Sequence, residues 1–152
     1  VYYVRGNHDI RYEAKPPMGA MDLHGRIVDC GGLRILGLEG SRWYNGGPSQ
    51  YSDGQMRGMI RKLWPRLWFR KPVDIIFTHA PPRGVGDRDD LCHRGFPSFN
   101  RLIEKLRPRF FIHGHIHDHF TSMDARTTLV DTTKVINAYG HVCLEIDPQE
   151  AG

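Results

Sequence analysis

Cysteine is scarce in this chain: Cys30, Cys92 and Cys143 are the only three among 152 residues, widely spaced and odd in number. That excludes a disulfide framework and makes a reducing compartment, the cytoplasm, the expected location. Long apolar runs are also missing. Nothing approaches the ~18 residues of a membrane span, so no membrane partner is expected. The opening VYYVRG has no charged-then-apolar leader pattern. It reads as an interior strand already under way, as in a piece of something longer. Charge of one sign is not in large excess. A net +4 leaves nucleic acid possible as a partner without implying it, and says nothing of oligomeric state. Internal repeats, low-complexity tracts and linkers are absent too, so residues 1–152 read as a single domain.

What is present alternates. Val1 to Val4 reads as a strand, and residues 11–25 are turn-rich. RIVDCGGLRILGLEG predicts two strands joined at Gly31-Gly32. Ser52 with Gln55 fits a capping box opening a helix. Met56, Met59, Ile60, Leu63 and Leu67 form that helix's apolar stripe. Pro65 is expected to kink or stop it near Trp64. VDIIF reads as a strand covered on both faces. A long polar loop follows, RGVGDRDDLCHRG, and then a second helical stripe of Phe99, Leu102, Ile103 and Leu106. RFFIHG is another buried strand. TTLV, KVINAY and HVCLEI read as three short strands. Helices and strands alternating in this way predict a layered α/β fold.

Histidine is concentrated. Four of the nine fall in FFIHGHIHDHF, residues 110–120. Residues two apart on a strand share a face, so His115 and His117 are expected on one side as the strand opens into a loop. His79 follows the DIIFT strand and precedes Ala80-Pro81-Pro82. Asn7, His8 and Asp9 follow the first strand after Gly6. A lone histidine at a strand end is more often structural than a ligand. Three strand ends in one short chain favour a shared metal cleft, because ligands of α/β sheets bind where the strands' carboxyl ends emerge.

GNHD, THAPP and HGHIH, in that order and at those strand ends, resemble the last three motifs of the calcineurin-like metallophosphoesterases. The resemblance implies a layered metallophosphoesterase-type β-sandwich flanked by helices. It implies hydrolysis of a phosphomonoester or phosphodiester through hydroxide activated by two divalent metal ions, drawn from Mn, Fe, Zn or Ni. Carried over residue by residue, Asn7, His79 and His115 would ligate one metal and His117 the other. His8 would stand outside the metal shell and donate a proton to the leaving group. Asp9 would orient His8, or else serve only as a turn former after Gly6-Asn7. The family's two opening motifs, D-x-H and G-D-x-x-D, are not found. Asp22-Leu23-His24 spells the first, but it follows GNHD in a turn-rich segment and reads as a turn. The expectation is therefore a domain with its N-terminal portion missing, and a chain that is itself inactive.

Two further stretches carry alternatives. Arg57, Arg61, Lys62, Arg66, Arg70 and Lys71 interleave with Trp64, Trp68 and Phe69. The apolar stripe explains most of this as core with a solvated basic face. A non-catalytic scaffold binding a protein or nucleic-acid partner through that helix is the rival function. In the polar loop, His93 and Arg94 could contact a substrate phosphate, or the loop could be simply solvated with a local Arg–Asp pair. Cys92 reads as a small anchor rather than a nucleophile.

Overall fold

The computed structural model describes residues 1–9, 15–68 and 71–147. Phe69 and Arg70 of the basic stretch lie outside them. The elements are β1 (Tyr2–Tyr3), β2 (Met21–Asp22), β3 (Arg26–Cys30), β4 (Leu33–Leu38), β5 (Ser41–Arg42), β6 (Gln50–Tyr51), α1 (Asp53–Trp68), β7 (Ile75–Thr78), α2 (Pro97–Leu106), β8 (Phe110–His113), β9 (Thr127–Val130) and β10 (Thr133–Asn137). A single 3-10 turn, Asp124–Arg126, leads into β9. The layered α/β expectation is met by a six-stranded sheet in the order β3-β4-β7-β8-β10-β9. Its four inner strands are parallel and both edge strands antiparallel. Two-stranded parallel pairs, β1 with β2 and β5 with β6, stand beside it.

Register explains the core. Ile27, Leu36, Ile76, Phe111 and Val135 are successive cross-strand partners, so they form one row across one face of the sheet. Met56, Ile60, Leu63 and Leu67 of α1 and Phe99, Leu102 and Ile103 of α2 cluster with that row. Both helical stripes are therefore core, as their spacing predicts. The hairpin forms at Gly31-Gly32, both at positive φ, where glycine alone is unstrained. The capping box is real: the Gln55 amide donates to Ser52 Oγ at 3.2 Å, and the Ser52 amide to Gln55 Oε1 at 2.8 Å.

Two expectations need correcting. Pro65 does not stop α1, which runs on through it to Trp68. An interior proline costs roughly 3 kcal/mol. Leu63 and Leu67 bury on either side of it, and at about 2 kcal/mol each they offset that cost. The helix end is also held from outside. The guanidinium of Arg34, 4% exposed in β4, donates to the carbonyl of Arg66 at 2.9 Å and to that of Lys71. The Arg34 amide is bonded in turn to Asp74 Oδ2 at 2.7 Å. HVCLEI, the second failure, has the alternation of a strand, with Val142, Leu144 and Ile146 half-buried between exposed neighbours. It finds no ladder partner among the described residues, so it is extended chain rather than sheet.

Candidate metal centre

Three turns at the carboxyl ends of β1, β7 and β8 build the site. The first closes on itself: the Asp9 amide donates to the Gly6 carbonyl at 3.2 Å, and the Gly6 amide to Asp9 Oδ2 at 2.7 Å. Asp9 closes this turn through Oδ2, and no bond from its carboxylate to His8 is found among the described residues. Gly6 is required by contact, since a Cβ there would fall 2.5 Å from His79 Cε1. In the second turn, Thr78 Oγ1 donates to the Ala80 carbonyl at 2.7 Å and fixes the approach to Pro81. The third docks on the second, with the Gly114 amide donating to the His79 carbonyl at 3.0 Å.

The chain leaves the strand at His113, and this corrects the expectation for HGHIH. His115 has φ +64° and is spanned by a bond from the Ile116 amide to the Gly114 carbonyl at 2.7 Å. That is a γ-turn with a left-handed centre, a strained conformation for a residue with a Cβ. Strand alternation therefore does not set the directions of His115 and His117. The γ-turn swings the His115 ring onto His79.

The result is a triangle of donor atoms. Asn7 Oδ1 lies 2.9 Å from His79 Nε2, which lies 3.0 Å from His115 Nδ1. Two of the three are oriented from behind. The Asn7 amide nitrogen donates to the Tyr44 hydroxyl at 2.9 Å, turning Oδ1 inward. His115 Nε2 sits 2.6 Å from the Cys92 carbonyl. A carbonyl only accepts, so that nitrogen carries the proton and Nδ1 presents its lone pair. Asn7 and His115 are buried, at 5% and 8% exposure. Burial, with repulsion from His115, His8, His117 and His113 behind it, pushes the His79 imidazole down to about 3. Burial likewise lowers His115, aided by His93, His117 and His8 and opposed by the Cys92 carbonyl. With the charged form disfavoured on both, His79 and His115 offer lone pairs rather than charge.

This donor set suits a divalent ion. Bonds of about 2.1 Å at right angles would put neighbouring donors about 3 Å apart, close to the separations found. Mixed imidazole and amide-oxygen donors fit Mn, Fe, Zn or Ni better than Ca. Asn7, His79 and His115 are the residues brought together. His117 stands at the margin, exposed, its ring stacked on Tyr139 at 4.5 Å and 18°. His8 is exposed at the rim. The His93 ring lies 5.4 Å from that of His115, at the cleft's edge, with Nδ1 bonded to Asp90. Arg94 Nε donates to the Asp89 carbonyl at 2.9 Å, so its guanidinium is tied to its own loop. His113 faces away, 2% exposed against Gly86, and burial lowers it to about 4.

The chain belongs to the calcineurin-like phosphoesterases, a family of hydrolases that generally bind divalent metals; the family profile matches residues 1–119. It is similar to the lariat debranching enzyme of Schizosaccharomyces pombe, 26% identical over 88% of this chain and 36% of that protein. It is also similar to metallophosphoesterase domain-containing protein 1 of Homo sapiens, 29% identical over 70% of this chain and 32% of that one. The crystal structure of TT1561 of Thermus thermophilus shares the fold, with a TM-score of 0.60 and 16% identity over 91% of this chain and 62% of that one. The chain thus spans about a third of these two curated relatives. No helix among the described residues is long and apolar enough to cross a membrane.

Proposed function

We propose that this chain carries part of the active site of a metal-dependent phosphoesterase whose substrate is a phosphomonoester or phosphodiester. The observation that supports this best is the donor triangle of Asn7, His79 and His115, with Asn7 and His115 each pre-oriented by a bond from outside it. Those three would hold one divalent ion, manganese being a good match, and His117 a second. When bound, the ions neutralise the ester's charge and supply hydroxide near neutral pH. The protein's own residues do the rest. Tyr44 and the Cys92 carbonyl keep the donors aimed. His8, exposed at the rim, gives a proton to the departing oxygen, since an alkoxide leaves badly. Asp9 holds the turn that carries His8. His93, beside His115, would meet a phosphate oxygen, and Arg94 would join it on leaving the Asp89 carbonyl. By itself the 152-residue chain turns over slowly, because His117 is the one donor assigned to the second ion. Three free cysteines suit a reducing compartment such as the cytoplasm.

The test is manganese binding by calorimetry, with elemental analysis, on the chain and its His79→Ala and His115→Ala variants. Weak binding that both substitutions abolish is expected. Undiminished binding in both variants overturns the assignment. Robust turnover of a chromogenic phosphodiester by the chain alone overturns its predicted inactivity.

A further inference from the structure

A second site lies on the helical face of the molecule. The amide of Ser98, at the start of α2, donates to Asp53 Oδ1 at the start of α1, at 2.9 Å. Further along, Lys105 of α2 places its Nζ over the Trp64 ring of α1, at 5.1 Å. The two helices therefore run parallel, and a groove of about 180 Å³ lies between them. Arg57, Arg61 and Trp64 line one wall, Arg101 and Lys105 the other, and Ser98 lies at its base. The spacing on each wall is one helical turn, about 6 Å. One acid meets these cations: Asp53 pairs with Arg57 at 3.3 Å. Arg61, Arg101 and Lys105 have no carboxylate partner among the described residues.

Two observations separate this groove from an ordinary solvated face. Ser98 is 3% exposed, and its hydroxyl has no hydrogen-bond partner among the described residues. An unspent buried hydroxyl costs stability, and this one is enclosed, so an acceptor in the groove completes it only if the two helices part slightly there. Gly58 sits in the interior of α1, beside Arg57 and Arg61, where a Cβ would meet nothing within 4 Å. Packing does not require that glycine, and it weakens the helix by about 1 kcal/mol. It opens a shallow depression between Arg57 and Arg61 that adjoins the groove. Trp68, one turn beyond Trp64, is 77% exposed and extends the same helix face.

We propose that this groove binds the phosphodiester backbone of a single-stranded nucleic acid, with Arg61, Arg101 and Lys105 on successive phosphates and a base stacked on Trp68. Rows of cations one turn apart follow a flexible backbone, and an exposed indole takes any base. Both helices begin at the end of the sheet that carries the metal centre, so a strand in the groove leads toward that cleft. Binding here does not depend on the catalytic reading.

The experiment is fluorescence anisotropy of the 152-residue chain with fluorescein-labelled dT20 and rU20, in EDTA and across a salt series. Affinity is expected to fall linearly in log–log form with salt. The exposed double change Arg61→Gln/Arg101→Gln should weaken binding at least tenfold and reduce the slope by about 1.4, at ~0.7 per phosphate contact. Trp68→Ala should cost roughly tenfold with the oligonucleotides and nothing with heparin. Arg26→Gln, a surface arginine on β3, should change neither. His79→Ala, which tests the metal reading, should leave oligonucleotide binding intact. The proposal is overturned if the groove variants bind like the parent while retaining its thermal melt. It is equally overturned if Trp68→Ala has no effect, which leaves a general polyanion surface, or if duplex DNA binds more tightly than single strands.

Discussion

The two sides of the metal centre are built differently. Asn7, His79 and His115 are buried or nearly so; His79 touches the other two at 2.9 and 3.0 Å, and these are aimed by Tyr44 and the Cys92 carbonyl. His8 and His117 are exposed, and the one ring contact of His117 among the described residues is the stack on Tyr139. One side is set before any ligand arrives, and the other is left to be set by what binds. Preorganisation of this kind belongs where an ion must be retained through many turnovers, and looseness where protons and products pass.

Substitution on the two sides should therefore fail in different ways. In the complete enzyme, His115→Ala should strip the metal, with added metal restoring part of the rate. His8→Ala should keep its metal and slow turnover by ~10²–10⁴-fold, less for a nitrophenyl ester, whose anion needs little protonation. Elemental analysis and the rate ratio between poor and good leaving groups decide this. A His8→Ala protein that loses metal would erase the contrast. Gly6→Ala should come next, because the new Cβ drives into His79. Metal affinity should drop ~10–100-fold, measured by calorimetry. Tyr44→Phe frees the Asn7 amide to rotate, and a loss of about tenfold in affinity sharpens the comparison further.

The smallest effect is on stability. In the metal-free chain, unfolded histidines take up protons near their ordinary value of 6.5. Folded His79 does so only at about 3, and folded His113 at about 4. Between those limits the unfolded state binds more protons, so stability rises with pH. Melting temperature should fall progressively as pH drops below about 6.5, and His79→Gln should flatten that slope. A melt independent of pH between 7 and 5 would contradict it.

The sequence placed the three turns correctly, because an apolar run followed by glycine or proline and a polar residue is a local signal. The hairpin at Gly31-Gly32 and the Ser52–Gln55 box were legible for the same reason. The γ-turn at His115 was not. The alternation in IHGHIH imitates a strand, and only docking on the His79 carbonyl takes the backbone out of it. Tyr44 lies 37 residues from Asn7, and the Cys92 contact is a carbonyl, which no side-chain identity announces. Pro65 misled because its cost is local while the burial and capping that offset it are tertiary.

Arg34 supplies that capping, and it ties the order in which the molecule opens. Its guanidinium closes the last turn of α1 while its own amide is held by Asp74 beside β7. The end of the helix cannot fray without releasing a buried cation from its carbonyl acceptors. Amide hydrogens of the terminal turn of α1 and of central β4 should therefore exchange with solvent at one common rate, as a single cooperative unit, although a surface helix end ordinarily exchanges first.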